Sequence, residues 1–167
     1  VMTMTAIPKD VHDQAQEPMA WFQHDAYAHR DIKCQRLLMR RGNEGYGAYW
    51  RLCELLASTK HHSIAVDTDE DWLILAGAIG MRSMGAFDET VSIAETRDFI
   101  DCLLEIGLLV RDGKGRIESE RMCKNALYFG KQRVNGAKGG RPKKEAAENP
   151  TVFEETQRFP EKPDKTY

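Results

Sequence analysis

The amino-acid sequence predicts a mainly helical fold closed by a small β-hairpin, and three observations carry that expectation. Between residues 44 and 60, Tyr46, Tyr49, Trp50, Cys53, Leu56 and Ala57 recur at the i, i+3, i+4, i+7 spacing of one helix face. Asp112-Gly113 separates two short runs with apolar residues, the strongest hairpin signal in the chain. The capping residues Asp31, Thr68 and Ser92 stand ahead of three further apolar series, and Gly42, Gly80 and Gly107 stand behind them. At 167 residues and 41% hydrophobic, the chain can bury one ordinary core with residues left over for tails.

Residues 1–19 are polar and aperiodic and hold Pro8 and Pro18, so a disordered lead-in is expected there. The segment lacks the basic-then-apolar layout of a signal peptide, and no apolar run approaches the roughly 20 residues that span a bilayer, which points to a cytoplasmic protein with no membrane partner. In residues 20–30 the rings of Trp21, Phe22 and Tyr27 are expected to pack an irregular segment onto the core. His24 and His29 stand beside Asp25 and Asp31, an arrangement open to a metal or to hydrogen bonding within a loop. With no further ligand at useful spacing, and none supplied by His61 and His62, the loop reading is favoured and no metal is expected. Cys34, Cys53, Cys102 and Cys123 form no Cys-x-x-Cys pair and read as buried thiols.

Asp31 caps a first helix running to about Arg41, with Ile32, Cys34, Leu37 and Leu38 facing inward. Lys33, Arg36 and Arg40 then form a basic ridge beside Arg41, either an ordinary solvated face or a row of phosphate contacts. The helix of residues 44–60 is apolar around most of its circumference, leaving only Arg51, Glu54 and Ser58 polar, so it is expected at the centre of the fold. Gly45 and Gly47 are expected to mark close backbone approach. A brief strand at 63–66 follows, then a helix opened by Thr68 and Asp71 with Trp72, Leu75, Ala76 and Ile79 inward, then a loop at 81–91. Ser92 and Glu95 form a capping box for a fourth helix, with Phe99, Ile100, Leu103 and Ile106 inward and Asp98, Asp101 and Glu105 outward. The hairpin of 108–118 places Arg111, Lys114 and Arg116 around its tip. A last helix of 119–131 turns Met122, Ala126 and Phe129 to one side.

The formal net charge of −2 conceals opposite blocks. Residues 59–120 hold six Lys/Arg against thirteen Asp/Glu, whereas 121–144 hold eight Lys/Arg and no acid, a composition that suits either a solvated face or a nucleic-acid arm. The Gly-rich basic run 135–144 and the acidic remainder to Tyr167 read as linker and tail. Within it Gly139 to Lys144 resembles the Gly-Arg-Pro core of an AT-hook, against the plainer reading of a charged linker. Helix, helix, short strand, helix, helix, hairpin, helix is the layout of a winged helix, here over residues 20–134, and also of a small bundle with an incidental hairpin.

Trp21, Phe22, His24 and Asp25, then Asp31 and Lys33, then Gly45, Tyr46, Gly47, Tyr49 and Trp50, form a pattern similar to the N-terminal domain of phage and prophage replication proteins. Those proteins are related to replisome organisers and DnaD-type primosomal proteins. The resemblance covers about residues 20–142, including Ile106 to Leu109 before the hairpin and Asn135 to Pro142 after the last helix. It implies a winged helix that acts in replication initiation by binding origin DNA or helping to load a helicase, and it implies no catalytic residue.

Because the fourth helix presents three carboxylates to any phosphate, DNA contacts are expected instead from Lys33, Arg36 and Arg40, from Arg111, Lys114 and Arg116, and from Lys138, Arg141, Lys143 and Lys144. Two other readings are a replisome protein-interaction module, which could include self-association, and a winged-helix transcriptional regulator. An enzyme is not expected, nor a cofactor, since the sequence holds no P-loop, nucleophile motif, ligand cluster or Gly-x-Gly-x-x-Gly.

Overall fold

A computed structural model describes residues 7–81 and 88–139. Its elements are α1 (Lys9–Ala15), α2 (Ile32–Ser58), β1 (Ser63–Ile64), α3 (Asp69–Ile79), α4 (Glu89–Ile106), β2 (Val110–Arg111), β3 (Ile117–Glu118) and α5 (Glu120–Ala137). Among the described residues the fold is mainly helical, with one antiparallel three-stranded sheet in the order β1-β3-β2. Ser63 pairs with Glu118 and Ile64 with Ile117, and on the other side Val110 pairs with Glu118 and Arg111 with Ile117.

α2 joins the two helices expected over 31–60, and Gly42 is the reason they are distinct. Its φ of 61° and ψ of −163° break the helix where only glycine is unstrained. Asp31 caps the first half, accepting from the Lys33 and Cys34 amides at 2.9 and 3.3 Å. The second half is central, as its apolar circumference requires, with Leu52, Cys53 and Leu56 wholly buried. They pack with Leu37 of the first half, Leu75 and Ile79 of α3, and Phe99, Ile100 and Leu103 of α4. Each such side chain contributes about 1.5–3 kcal/mol by leaving water. Two local expectations are corrected. Ile32 is 59% exposed because it lies on the side of α2 away from this core. Of the two glycines, Gly45 alone marks a close approach, to the Arg41 side chain and the Phe99 ring, while a side chain on Gly47 would enter open space.

α3 follows its sequence closely. Thr68 Oγ1 accepts from the Asp71 amide at 3.2 Å and Asp71 accepts from the Thr68 amide at 2.9 Å, while Gly80 ends the helix at φ 80°. α4 starts earlier than expected. Asp88 is the cap, accepting from the Thr90 and Val91 amides at 2.9 and 3.2 Å, and Ser92 lies buried one turn inside the helix with its carbonyl accepting from Thr96 Oγ1. Ser-x-x-Glu and Asp-x-x signals one turn apart both satisfy local capping chemistry, and burial of the Ser92 side chain goes with the earlier one. Residues 82–87 of the expected loop lie outside the described residues.

The chain ends of the domain depart most from expectation. Lys9–Ala15, read as part of a disordered lead-in, forms a helix that packs along α5, and α5 itself runs on to Ala137, through residues read as linker. Seven residues are too few to show a helical period or to hold a helix unaided, so α1 depends on its dock. Gly130 permits it: a Cβ there would sit 2.6 Å from the Val11 carbonyl oxygen. Arg133 donates to the carbonyls of Gln14 and Pro18, both at 2.7 Å, which satisfies groups left open where α1 ends. His62, buried behind a turn in which His61 and His62 both have positive φ, presents Nε2 to the Ala15 carbonyl at 2.9 Å and Nδ1 to that of Leu56 at 3.0 Å.

Candidate nucleic-acid interface

The turn of the hairpin is built around one carboxylate. Asp112 Oδ1 accepts from the backbone amides of Lys114 and Arg116 at 2.8 and 2.9 Å, and these bonds hold the carboxyl below its ordinary pKa, the Arg116 amide being the main cause. Gly115, at φ 78°, completes the reversal. Of the three cations expected at the tip, Lys114 is exposed, Arg111 is exposed but curls back to donate to the Gly115 carbonyl at 3.0 Å, and Arg116 turns inward. Arg116 donates to the Ser63 carbonyl at 2.8 Å, tying the hairpin to β1, so it sits at the base of the wing-like projection and not on its tip.

The basic ridge of α2 meets the acidic face of α4. Lys33 Nζ donates to the Gly107 carbonyl at 2.7 Å, where the C-terminal end of α4 favours a cation. Arg40 pairs with Glu105 at 3.0 Å and Arg41 with Asp98 at 2.6 Å, the latter bond raising the Arg41 pKa. On its other side α4 receives α3, with Arg97 on Asp69 at 3.0 Å and over the Trp72 ring. The basic ridge of α2 and the acidic face of α4 are thus largely two sides of one contact, and among the described residues Arg36 is the ridge residue that is exposed with no ion pair.

The aromatic pattern at residues 21–25 and 46–50 assembles around Trp50. The tilted His24 ring lies 3.9 Å from it, Phe22 lies parallel at 6.3 Å, Tyr46 and Tyr49 contact it at 6.0 and 5.3 Å, and the Arg121 guanidinium sits over the ring at 5.4 Å. Arg121 also bonds Asp25 at 3.2 Å, and Asn125 accepts from the Gln23 amide. These residues fasten the irregular segment to α2 and α5, which accounts for their chemistry without a ligand. Cys34, Cys53 and Cys102 are buried and Cys123 is half-buried, and all are free. Burial pushes the Cys53 thiol up to about 12 and Cys123 to about 11, so neither supplies thiolate near neutral pH.

On α5, Arg121 and Arg133 are spent on the N-terminal segment, whereas Lys124, Lys131 and Lys138 are exposed with no ion pair among the described residues. Lys124 and Lys131 were not among the expected contacts, although their seven-residue spacing with Lys138 is visible in the sequence. Arg141, Lys143 and Lys144 lie outside the described residues. No described helix is long and apolar enough to cross a membrane.

A sequence model of the family described as Lin1244/Lin1753-like, N-terminal, matches residues 21–120, which runs from the aromatic segment through the sheet and ends at the first residue of α5. No curated protein and no solved structure matches the chain.

Proposed function

We propose that this chain, which belongs to the Lin1244/Lin1753-like family through residues 21–120, is a DNA-binding winged-helix protein of phage type that acts in replication initiation, by binding origin DNA or recruiting a helicase or its loader. The observation that supports the reading is the sheet order β1-β3-β2, in which the hairpin pairs with the strand between α2 and α3, an arrangement that a winged helix would use. Lys114 and Arg111 are both exposed on that hairpin. The replication role rests on the resemblance of the aromatic pattern.

Binding to random duplex DNA at a series of salt concentrations tests it. The parent should bind with an affinity that falls steeply with salt, and Arg111→Ala with Lys114→Ala should flatten the slope of log affinity against log salt by about 0.9 per lost contact. Salt-independent retention, or none, sinks the DNA reading. A protein-interaction module is the second reading, favoured by Ile32 and Met39, which stand one heptad apart on the outer side of α2, 59% and 87% exposed.

A further inference from the structure

We propose that the outward face of α5 holds a single strand of nucleic acid, with Lys124, Lys131 and Lys138 on its phosphates and Tyr128 stacked against a base. The inference rests on the DNA-binding reading and assigns a surface and a strand class to it. At 100° per residue, Lys124, Tyr128, Lys131, Asn135 and Lys138 fall within about 80° of arc, on the side of α5 opposite Met122, Ala126 and Gly130. All five are exposed. The lysines repeat every seven residues, so at 1.5 Å per residue they line about 21 Å of one face. Glu120, one turn before Lys124, is the sole carboxylate on the helix, so the stripe is set to attract an anion along nearly its whole length.

Cations alone would suit any polyanion, and the aromatics make the choice of strand. Tyr128, 46% exposed, lies edge-on to Phe129 at 5.5 Å, and Phe129 lies edge-on to Trp21 at 4.6 Å, which is itself 60% exposed. Phe129 thereby contacts two exposed rings, of which Tyr128 lies within the lysine stripe. Unpaired bases stack on such rings, whereas the bases of a duplex are already stacked on one another and offer only phosphates.

Fluorescence anisotropy with an oligothymidylate of about 15 nucleotides, and with the matching duplex, decides the matter. Replacing Lys124, Lys131 and Lys138 together by Ala should flatten the single-strand salt slope by about 2, from about 0.7 per contact. Tyr128→Ala should weaken single-strand binding about tenfold or more while changing duplex binding about twofold at most, and Tyr128→Phe should restore the parent affinity. Circular dichroism of each variant confirms that α5 is intact. Equal single-strand affinity and slope in the parent and the triple variant overturns the inference, as does a Tyr128→Ala loss that is absent or equal on both strand classes. If duplex binding still depends on Arg111 and Lys114 in that case, the proposed function stands and only this surface falls. A parent that binds neither DNA removes both.

Discussion

α4 and α5 are each 18 residues long and carry strong charge of opposite sign on their outer sides, yet the charges meet different fates. Asp98 and Glu105 of α4 are taken up by Arg41 and Arg40, and the end of the helix is taken up by Lys33. On α5 the arginines are taken up by the N-terminal segment, while the lysines at 124, 131 and 138 are exposed and form no ion pair among the described residues. Charge density along a sequence is therefore a poor guide to a binding face. What matters is whether the partner charge is already present in the fold.

The largest test of that contrast concerns the inner side of α4. Phe99 is wholly buried at the meeting of α2 and α4, and Phe99→Ala should cost about 3–5 kcal/mol in urea unfolding. A loss below 1 kcal/mol, on the order of a surface change, would mean that α4 is held by its ion pairs after all. Gly130→Val probes the inner side of α5, where backbone meets backbone. It should destabilise by about 1–3 kcal/mol and expose the amides of Lys9–Ala15 to hydrogen exchange while those of α3 stay protected. Unchanged protection of α1 would show that the dock does not depend on the close approach.

On the outer sides the effects are smaller and should separate cleanly. Arg40→Ala with Arg41→Ala should lower stability by up to about 1 kcal/mol per pair, since both pairs are largely solvated and screened by salt. Lys124→Ala with Lys131→Ala should leave stability within about 0.5 kcal/mol and act on DNA affinity instead. A reversal of these two outcomes would break the comparison. The smallest effect belongs to Asp112. Its pKa in the fold lies below the ordinary 3.8, so its support for the turn is present above that value and is lost as pH falls through the lower folded one. The Lys114 and Arg116 amide resonances should shift over that acid range, and Asp112→Asn should abolish the shift. Resonances that move together with global unfolding would refute a local event.

The elements that were legible in the sequence are those whose signals lie within one or two turns. Thr68 with Asp71 and Gly80 bound α3, the inward residues of α3 and α4 follow from their period, and Asp112-Gly113 marks the hairpin because its carboxylate bonds amides only two and four residues away. The same locality explains the miss at Ser92. Two capping signals one turn apart are chemically equivalent until one of them is buried.

The candidate site was legible only in part, because the availability of a cation is not a local property. Arg111, Lys114 and Arg116 share one hairpin, yet only a strand arriving from residue 63 shows that Arg116 is committed. By itself the sequence determined where α2, α3 and α5 start, which faces are apolar and where the chain reverses, since backbone hydrogen bonds and side chains three or four positions apart settle those choices. Tertiary structure alone decided that the acidic face of α4 pairs with Arg40 and Arg41 of α2 and that seven residues near the start form a helix. Arg41 and Asp98 stand 57 positions apart, and Arg133 and Gln14 stand 119 apart, so those contacts exist only once the core has brought the segments together.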